Sequence, residues 1–275
     1  MHIIDGRKIA EEIEKKVRKE AEGKKIKIAT IVVGESKESI LFAKLKEKAF
    51  KRVGFDYETI YFEEAKQSKI ENEVKKMNDD VKITGINIQL PLPKKLNYIN
   101  LVKKIDAKKD IEGMNPCNIG NTLLGNENIV PCTPKAILKI IEHENIKLQG
   151  KNVVIINHSN IVGKPLAMLM LNRNATVSVC HVFTKNLMEY TKKADLLITA
   201  TGIKWLIKGQ YVKEGVVIID AGIKEQDGKI YGDVHRSAAK KSSRITPVPG
   251  GVGPVTIASV LENAIMSYKM LGKNS

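Results

Sequence analysis

Ile9, Ile13 and Val17 recur at four-residue steps within residues 6–21, a spacing that puts them on one face of an amphipathic helix. Ile26–Val33 is a short run rich in β-branched residues that ends at Gly34, the pattern of a buried strand. Residues 38–52 read as a helix with Gly54 just beyond as its stop. A strand at Tyr57–Phe62, a helix at 68–79 and a strand at Ile83–Gln89 follow. Strands alternating with helices in this way predict βαβ units and a parallel sheet. A second series begins after residue 118. Thr133-Pro134 opens a helix, with Thr as cap and Pro at the first helical position. Then come a strand at Asn152–Ile156, a helix at 164–172, and strands at Thr176–Val179, Asp195–Thr199 and Val216–Asp220. An extended segment from Ile245 enters a Pro-Gly-rich stretch at 247–254, and a last helix covers 255–271. The fold class is therefore α/β, with two α/β domains and a boundary near 115–125.

Composition narrows the class. The 275 residues are 43% hydrophobic and 28% charged, ordinary for a globular protein. No apolar run approaches the roughly 20 residues that span a bilayer, and Met1–Arg7 has no signal-peptide core. The expectation is a cytoplasmic protein without a membrane partner. The cysteines Cys117, Cys132 and Cys180 are odd in number and widely spaced, so they form neither a disulfide framework nor a zinc pattern. Cys180-His181 reads as the end of a strand rather than a metal ligand pair. The formal charge is +15. Its lysines are spread along the chain and aromatics are only 5%, so no basic stripe for nucleic acid stands out. A lysine-rich composition in general is the cheaper account, and attraction to an anionic substrate or cofactor is a third reading, which the motifs below favour.

The segment Val153-Val154-Ile155-Ile156-Asn157-His158-Ser159-Asn160-Ile161-Val162-Gly163-Lys164-Pro165 leads a strand through a tight turn into a helix. That geometry sets a pyrophosphate on a helix N-terminus. Gly163 permits close backbone approach. Asn157 stands where the first glycine of the dinucleotide fingerprint would be, and Asn tolerates left-handed dihedrals. The next strand ends Val179-Cys180-His181-Val182-Phe183-Thr184-Lys185 without the acid that would bond a ribose 2′-hydroxyl. His158, His181 and Lys185 suit a 2′-phosphate, which favours NADP over NAD.

Three more segments are specific: Thr246-Pro247-Val248-Pro249-Gly250-Gly251-Val252-Gly253-Pro254-Val255-Thr256, Gly85-Ile86-Asn87-Ile88-Gln89-Leu90-Pro91-Leu92-Pro93, and Ser39-Ile40-Leu41-Phe42-Ala43-Lys44-Leu45-Lys46. Together with Asn157–Pro165, Asp110-Ile111-Glu112-Gly113 and Gly232-Asp233-Val234, they resemble the bifunctional methylenetetrahydrofolate dehydrogenase/methenyltetrahydrofolate cyclohydrolase family over essentially the whole chain. The resemblance implies a folate-binding domain of 1–118 plus 257–275, a Rossmann NADP-binding domain of 119–256, and an active-site cleft between them. It also implies a homodimer assembled through the Rossmann domain, and no metal. The implied reaction is oxidation of 5,10-methylenetetrahydrofolate with NADP, then hydrolysis of the methenyl product to 10-formyltetrahydrofolate.

Residue by residue, Lys46 matches the lysine of the family's S-x-x-Y-x-x-x-K motif, and Ser39 its serine. Ser39, Phe42 and Lys46, at i, i+3 and i+7, share a helical face. Gln89 matches the glutamine that contacts folate and positions the lysine. The resemblance assigns catalysis to Lys46, Gln89 and Glu112. It assigns substrate contacts to those three with Ser39, Phe42, Pro247 and Gly251, and cofactor contacts to Asn157, His158, Ser159, Val182 and Ile223. Two positions depart from the family. Phe42 replaces the motif's tyrosine and loses a hydroxyl, and Glu112 replaces an aspartate at one methylene more reach. Phe42 leaves a dehydrogenase with weakened cyclohydrolase activity as the alternative. Another Rossmann oxidoreductase of the shikimate or amino-acid type and a nucleic-acid-binding module are the competing readings. Lys44 and Lys48 beside Lys46 supply the plain alternative for that residue, a solvated lysine.

Overall fold

The computed structural model describes residues 1–273. It divides into two compact units, Glu11–Cys132 with the segment from Ile257 onward, and Met1–Ala10 with Thr133–Thr256. The chain opens with a two-residue strand, β1 (His2–Ile3), which belongs to the second of these. Helix α1 (Gly6–Ala21) follows, and Ile9, Ile13 and Val17 are buried as its periodicity requires.

The first unit is built on a three-stranded parallel sheet of β2 (Lys27–Val33), β3 (Asp56–Phe62) and β4 (Ile83–Ile88) in the order β3-β2-β4. β2 lies in the middle, and six of its seven residues are buried, which is why its sequence after Lys27 is apolar but for Thr30. β3 is an edge and alternates. Helix α2 (Lys37–Arg52) starts at Ser36, whose side chain accepts from the Ser39 amide. It ends as expected before Gly54, which sits at φ +86°. Helix α3 (Gln67–Asp79) packs Ile70, Val74 and Met77 against Ile31, Val33, Ile86 and Ile88 of the sheet. Two short helices, α4 (Tyr98–Val102) and α5 (Pro116–Leu123), had no clear period in the sequence.

The second unit runs through α6 (Cys132–His143), β5 (Asn152–Ile156), α7 (Gly163–Leu171), β6 (Thr176–Cys180), α8 (Leu187–Thr191), β7 (Leu196–Thr199) and β8 (Val217–Asp220). A hairpin of β9 (Lys224–Gln226) and β10 (Lys229–Tyr231), then α9 (Arg236–Ala239) and β11 (Arg244–Ile245), complete it before α10 (Val252–Met270). Its sheet is parallel throughout, in the order β1-β11-β8-β7-β5-β6. The order reverses at β5, with β6 on one side and β7 on the other, the switch point of a dinucleotide-binding sheet. Among the described residues no helix is long and apolar enough to cross a membrane.

The domain boundaries differ from those expected. Residues 1–10 join the second unit because β1 pairs with β11, and the amides of His2 and Ile4 donate to Ser243 and Ile245. A Cβ on Gly6 would stand 1.9 Å from the Gly251 carbonyl oxygen, so the chain entering α1 lies directly on the Pro-Gly stretch. Residues 119–132 stay with the first unit. Asn263 of α10 donates to the carbonyls of Ile111 and Val130, and the Cys132 thiol reaches the Ile111 carbonyl.

A buried lysine caps a helix of the first unit. Lys109 is 4% exposed, and its ammonium donates to the carbonyls of Met77, Asn78 and Asp80 at 3.0, 2.7 and 2.8 Å, capping the C-terminal end of α3. Burial, the largest influence, holds its pKa below the ordinary lysine value. Lys109→Met keeps the stem but leaves three carbonyls without this donor. It is expected to lower unfolding stability by about 2–3 kcal/mol, read from urea denaturation. A loss under about 0.5 kcal/mol would show that water replaces the cap.

Candidate active site

Lys46 is 8% exposed, whereas Lys44 and Lys48 on either side are exposed. It is not a solvated-face lysine. Its Nζ donates to Gln89 Oε1 at 3.0 Å and to Glu112 Oε1 in a short ion pair. Gln89, one residue past the end of β4, fixes its other end by donating from Nε2 to the Leu90 carbonyl at 2.7 Å. An amide and a carboxylate thus converge on one ammonium, brought together from α2, the exit of β4 and the loop at 110–113.

That loop is held by a residue noticed in the sequence only as part of a motif. Asp110 is 1% exposed, and its Oδ2 accepts from the Asn115 amide at 2.6 Å and from Asn118 Nδ2 at 2.9 Å. Its backbone lies parallel to β4 through a bridge to Ile86, and the Ile86 amide donates to the Lys109 carbonyl at 2.7 Å. Gly85 permits this approach, since a Cβ there would come within 2.4 Å of Ile111 Cγ2. Gly113 closes the loop at φ +73°, where a Cβ would strike the backbone of Val130 at 2.4 Å. Burial, outweighing the Asn115 and Asn118 hydrogen bonds, pushes the Asp110 carboxyl up to about 6.

Ser39 occupies the predicted helix face, but it is fully buried and its hydroxyl donates to the Pro91 carbonyl at 2.7 Å. In this structure it fastens α2 to the proline-rich exit of β4. Phe42, on the same face, is half-buried.

In the second unit the turn at 157–163 is organised by Asn157, though not as expected. Asn157 is not among the residues at positive φ. Its Oδ1 accepts from the amides of Ser159 and Gly163 at 2.8 and 3.0 Å, and its Nδ2 donates to the Ala200 carbonyl at 2.6 Å. The side chain does inside the turn what a glycine's dihedral freedom would do elsewhere, and that consumes its polar atoms. Ser159 Oγ accepts from the Val162 amide at 3.1 Å. A Cβ on Gly163 would lie 1.9 Å from the Asn157 carbonyl oxygen, so α7 starts hard against the end of β5. Beside this turn the rings of His158 and His181 lie 4.7 Å apart. His181 Nδ1 accepts from the Phe183 amide at 3.2 Å, which leaves Nε2 as the outward donor. Val182 and Phe183 are exposed, and no carboxylate stands in 180–185. These residues fit a nucleotide bearing a 2′-phosphate: two imidazoles and Lys185 for the anion, apolar side chains for a base. Cys180 is buried and its thiol is pushed up by burial, as suits a strand-end cysteine. Ile223 is exposed just beyond β8. Pro247 is half-buried, while Gly251 is buried against Pro247 and Thr246. All of these belong to the second unit.

A parallel sheet reversing beside a strand–turn–helix defines a nucleotide-dependent enzyme of the Rossmann kind, and this one carries a second α/β unit with a buried lysine–amide–carboxylate cluster. Residues 4–112 match the catalytic domain, and residues 131–271 the NAD(P)-binding domain, of tetrahydrofolate dehydrogenase/cyclohydrolase. The chain is 47% identical over 273 residues to the bifunctional protein FolD of Methanococcoides burtonii, with 96% of each chain covered. It is similar to the crystal structure of the bifunctional enzyme FolD, methylenetetrahydrofolate dehydrogenase/cyclohydrolase, of Campylobacter jejuni, with a TM-score of 0.95, 40% identity and coverage of 98% and 99%. The methylenetetrahydrofolate dehydrogenase-cyclohydrolase of Trypanosoma brucei, solved with NADP cofactor and an inhibitor, gives a TM-score of 0.94 at 31% identity, with 99% and 98% covered. The chain belongs to the tetrahydrofolate dehydrogenase/cyclohydrolase family, and its reaction is the family's, on methylene- and methenyltetrahydrofolate.

The raised carboxyl of Asp110 has a measurable sign. A carboxyl whose folded pKa of about 6 exceeds an unfolded value near 3.8 contributes stability that is present below pH 3.8 and lost as pH rises through 6. The destabilisation caused by Asp110→Asn should therefore shrink by about 2 kcal/mol between pH 4 and pH 7. Denaturant titrations of both proteins across that range test this. A pH-independent difference would show that Asp110 is not strained by its burial.

Proposed function

We propose that Lys46, Gln89 and Glu112 form the centre that hydrolyses the methenyl compound, and that NADP is the hydride acceptor of the preceding oxidation. The observation that carries the first part is the buried Lys46 ammonium held between an amide oxygen and a carboxylate. The methylene carbon of the substrate bridges N5 and N10. Lone-pair donation from nitrogen lets a hydride leave, and bound NADP supplies the acceptor for it. For that step the protein chiefly orients its ligand. In hydrolysis, water adds to the methenyl carbon and the adduct loses a proton; the carbon–N5 bond then breaks as N5 takes up a proton and the hydroxyl gives up its own to become the formyl carbonyl. A net proton is released. Both partners of Lys46 are acceptors, so its Nζ enters the reaction as a donor beside the developing charges. Glu112 reads the hydrogen-bonding edge of the pterin and holds the ammonium in place. Gln89, pinned at Leu90, aims the lysine. Ser39 keeps α2 against the β4 exit, so Phe42 presents its ring for stacking without a hydroxyl to relay a proton.

NADP is supported by the carboxylate-free end of β6 and by His158, His181 and Lys185 near the turn at 157–163. Asn157 and Ser159 shape that turn, and Val182 and Ile223 contribute exposed apolar contact. Pro247 and Gly251 present backbone to the folate. A homodimer through the second unit is part of the same reading and rests on family membership. A dehydrogenase with a weak cyclohydrolase step is the second reading, and Phe42 is the observation that favours it.

Lys46→Met removes the ammonium while retaining the apolar stem. Methenyl hydrolysis should fall by about 10²–10⁴-fold, the usual worth of a positioned proton-transfer group, with a smaller effect on hydride transfer. Following cofactor reduction and methenyl decay separately tests both. Parental hydrolysis by a Lys46→Met protein that still binds folate would remove Lys46 from the mechanism. Phe42→Tyr should raise hydrolysis if the missing hydroxyl limits it.

The NADP assignment is tested by the ratio of kcat/KM for NADP to that for NAD. Replacing both His158 and His181 by Ala should lower it about tenfold, the loss of about one charge-assisted bond to phosphate. A parent enzyme that prefers NAD would falsify the assignment.

A further inference from the structure

Two carboxylates at the ends of β7 and β8 are not used by the mechanism above. Asp220 closes β8 and is 4% exposed; Asp233, after the β9–β10 hairpin, is 0% exposed. Asp233 Oδ2 accepts from the Thr199 hydroxyl and the Thr201 amide, both at 2.7 Å, and its Oδ1 accepts from the Ile203 amide at 3.0 Å. Asp220 Oδ1 accepts from the amides of Gly222 and Asp233 at 3.0 and 3.1 Å, and its Oδ2 from the Val234 amide at 2.9 Å. The two are interlocked through glycines. A Cβ on Gly222 would fall 2.1 Å from Asp233 Oδ1, and one on Gly232 would fall 2.1 Å from Asp220 Oδ2.

Every one of these donors is neutral, an amide or a hydroxyl. Among the described residues no ammonium or guanidinium lies within ion-pair distance of either carboxylate. Hydrogen bonds favour the ionised form without cancelling its charge. Burial pushes Asp220 up to about 6 even so, with Asp233 adding to the rise, while all four carboxyl oxygens of the pair act as acceptors. The strand ends therefore carry fixed negative charge in a poorly screened interior.

The location gives this charge a target. In a sheet of this order the two halves of a dinucleotide lie on opposite sides of the switch point. The imidazoles and the turn after β5 place the adenosine half at β5 and β6, which leaves the nicotinamide half for β7 and β8. Asn157 ties the two sides together through the Ala200 carbonyl, and Asp233 holds the amides of Thr201 and Ile203 just beyond. The nicotinamide ring is cationic when oxidised and neutral when reduced. We propose that Asp220 and Asp233 form a buried negative pole that makes this enzyme bind its cofactor preferentially in the oxidised form. This inference rests on the NADP reading above. The pair acts on hydride transfer by setting which redox state is held, with neither residue touching the reacting atoms. They are specificity-determining residues for the redox state of the cofactor.

Calorimetric titration with NADP⁺ and NADPH separates this from a purely structural role. In the parent at 0.5 M salt, where the surface lysines are screened, NADP⁺ should bind at least about threefold more tightly than NADPH. Asp233→Asn and Asp220→Asn each remove one charge, and each should shrink that preference about threefold or more. Thr199→Val removes a neutral donor and leaves both charges, so it should move the two affinities together. Equal weakening of both nucleotides by the Asn variants would overturn the proposal and leave the pair as loop supports. Parity or NADPH preference in the parent would overturn it even if neither Asn variant folds. A parent that binds neither nucleotide would remove the NADP reading and this inference with it. A parent that binds both nucleotides equally would remove this inference alone.

Discussion

An ammonium cannot leave water without acceptors to replace it, and the first unit is organised around meeting that requirement for Lys46. The lysine lies on α2 and its acceptors lie on separate pieces of chain, at the exit of β4 and in the loop after Lys109. The loop reaches β4 only because Gly85 leaves room for Ile111, and it holds its shape only because Asp110 gathers Asn115 and Asn118. The β4 exit is held to α2 by Ser39. An isolated buried charge costs several kcal/mol, so each of these supports is also a condition for keeping the lysine inside.

The second unit answers a different accounting problem. Parallel strands end together at one edge, and the turns that leave them expose amides without partners in the sheet. Here polar side chains supply the acceptors. Asn157 receives the Ser159 and Gly163 amides, Asp220 receives three, and Asp233 receives two and a hydroxyl. Each acceptor is accompanied by a glycine whose Cβ would collide with it or with its backbone: Gly163 for Asn157, Gly232 for Asp220, Gly222 for Asp233. The loops at this edge of the sheet are thereby set by their own side chains, so little ordering would remain for a ligand to supply.

The strand–helix alternation was legible because periodicity reports burial, and β2, α1 and β5 fell within a residue or two of expectation. Lys46, Gln89 and Glu112 were legible as residue types in specific motifs, and the structure brings them together. What periodicity could not show was pairing between distant pieces of chain. Two residues of β1 carry no pattern, yet their ladder to β11 moves the first ten residues into the other unit. Asn157 was read through its backbone tolerance, while its side chain proved to be the working part. Ser39 looked like a ligand contact by its position on the helix face, and only the Pro91 carbonyl reveals where its hydroxyl goes. Asp220 was passed over because it ends an apolar strand, and the signal available was its company, with Gly222, Gly232 and Asp233 close by in the chain.

The net charge of +15 and the buried carboxylates act over different ranges. Exposed lysines attract polyanions at long range, but a Debye length of about 8 Å at physiological salt confines their influence to encounter and to groups near the surface. Such a field draws oxidised and reduced dinucleotides alike through their phosphates, and it favours the reduced form slightly because that form carries one more negative charge. Discrimination in the other direction has to come from charge that salt does not reach. Asp220 and Asp233 meet that condition because six neutral donors hold them ionised inside the sheet's edge. Collection of anionic ligands and choice of redox state are therefore separable properties of this chain, carried by residues that differ in sign and in exposure.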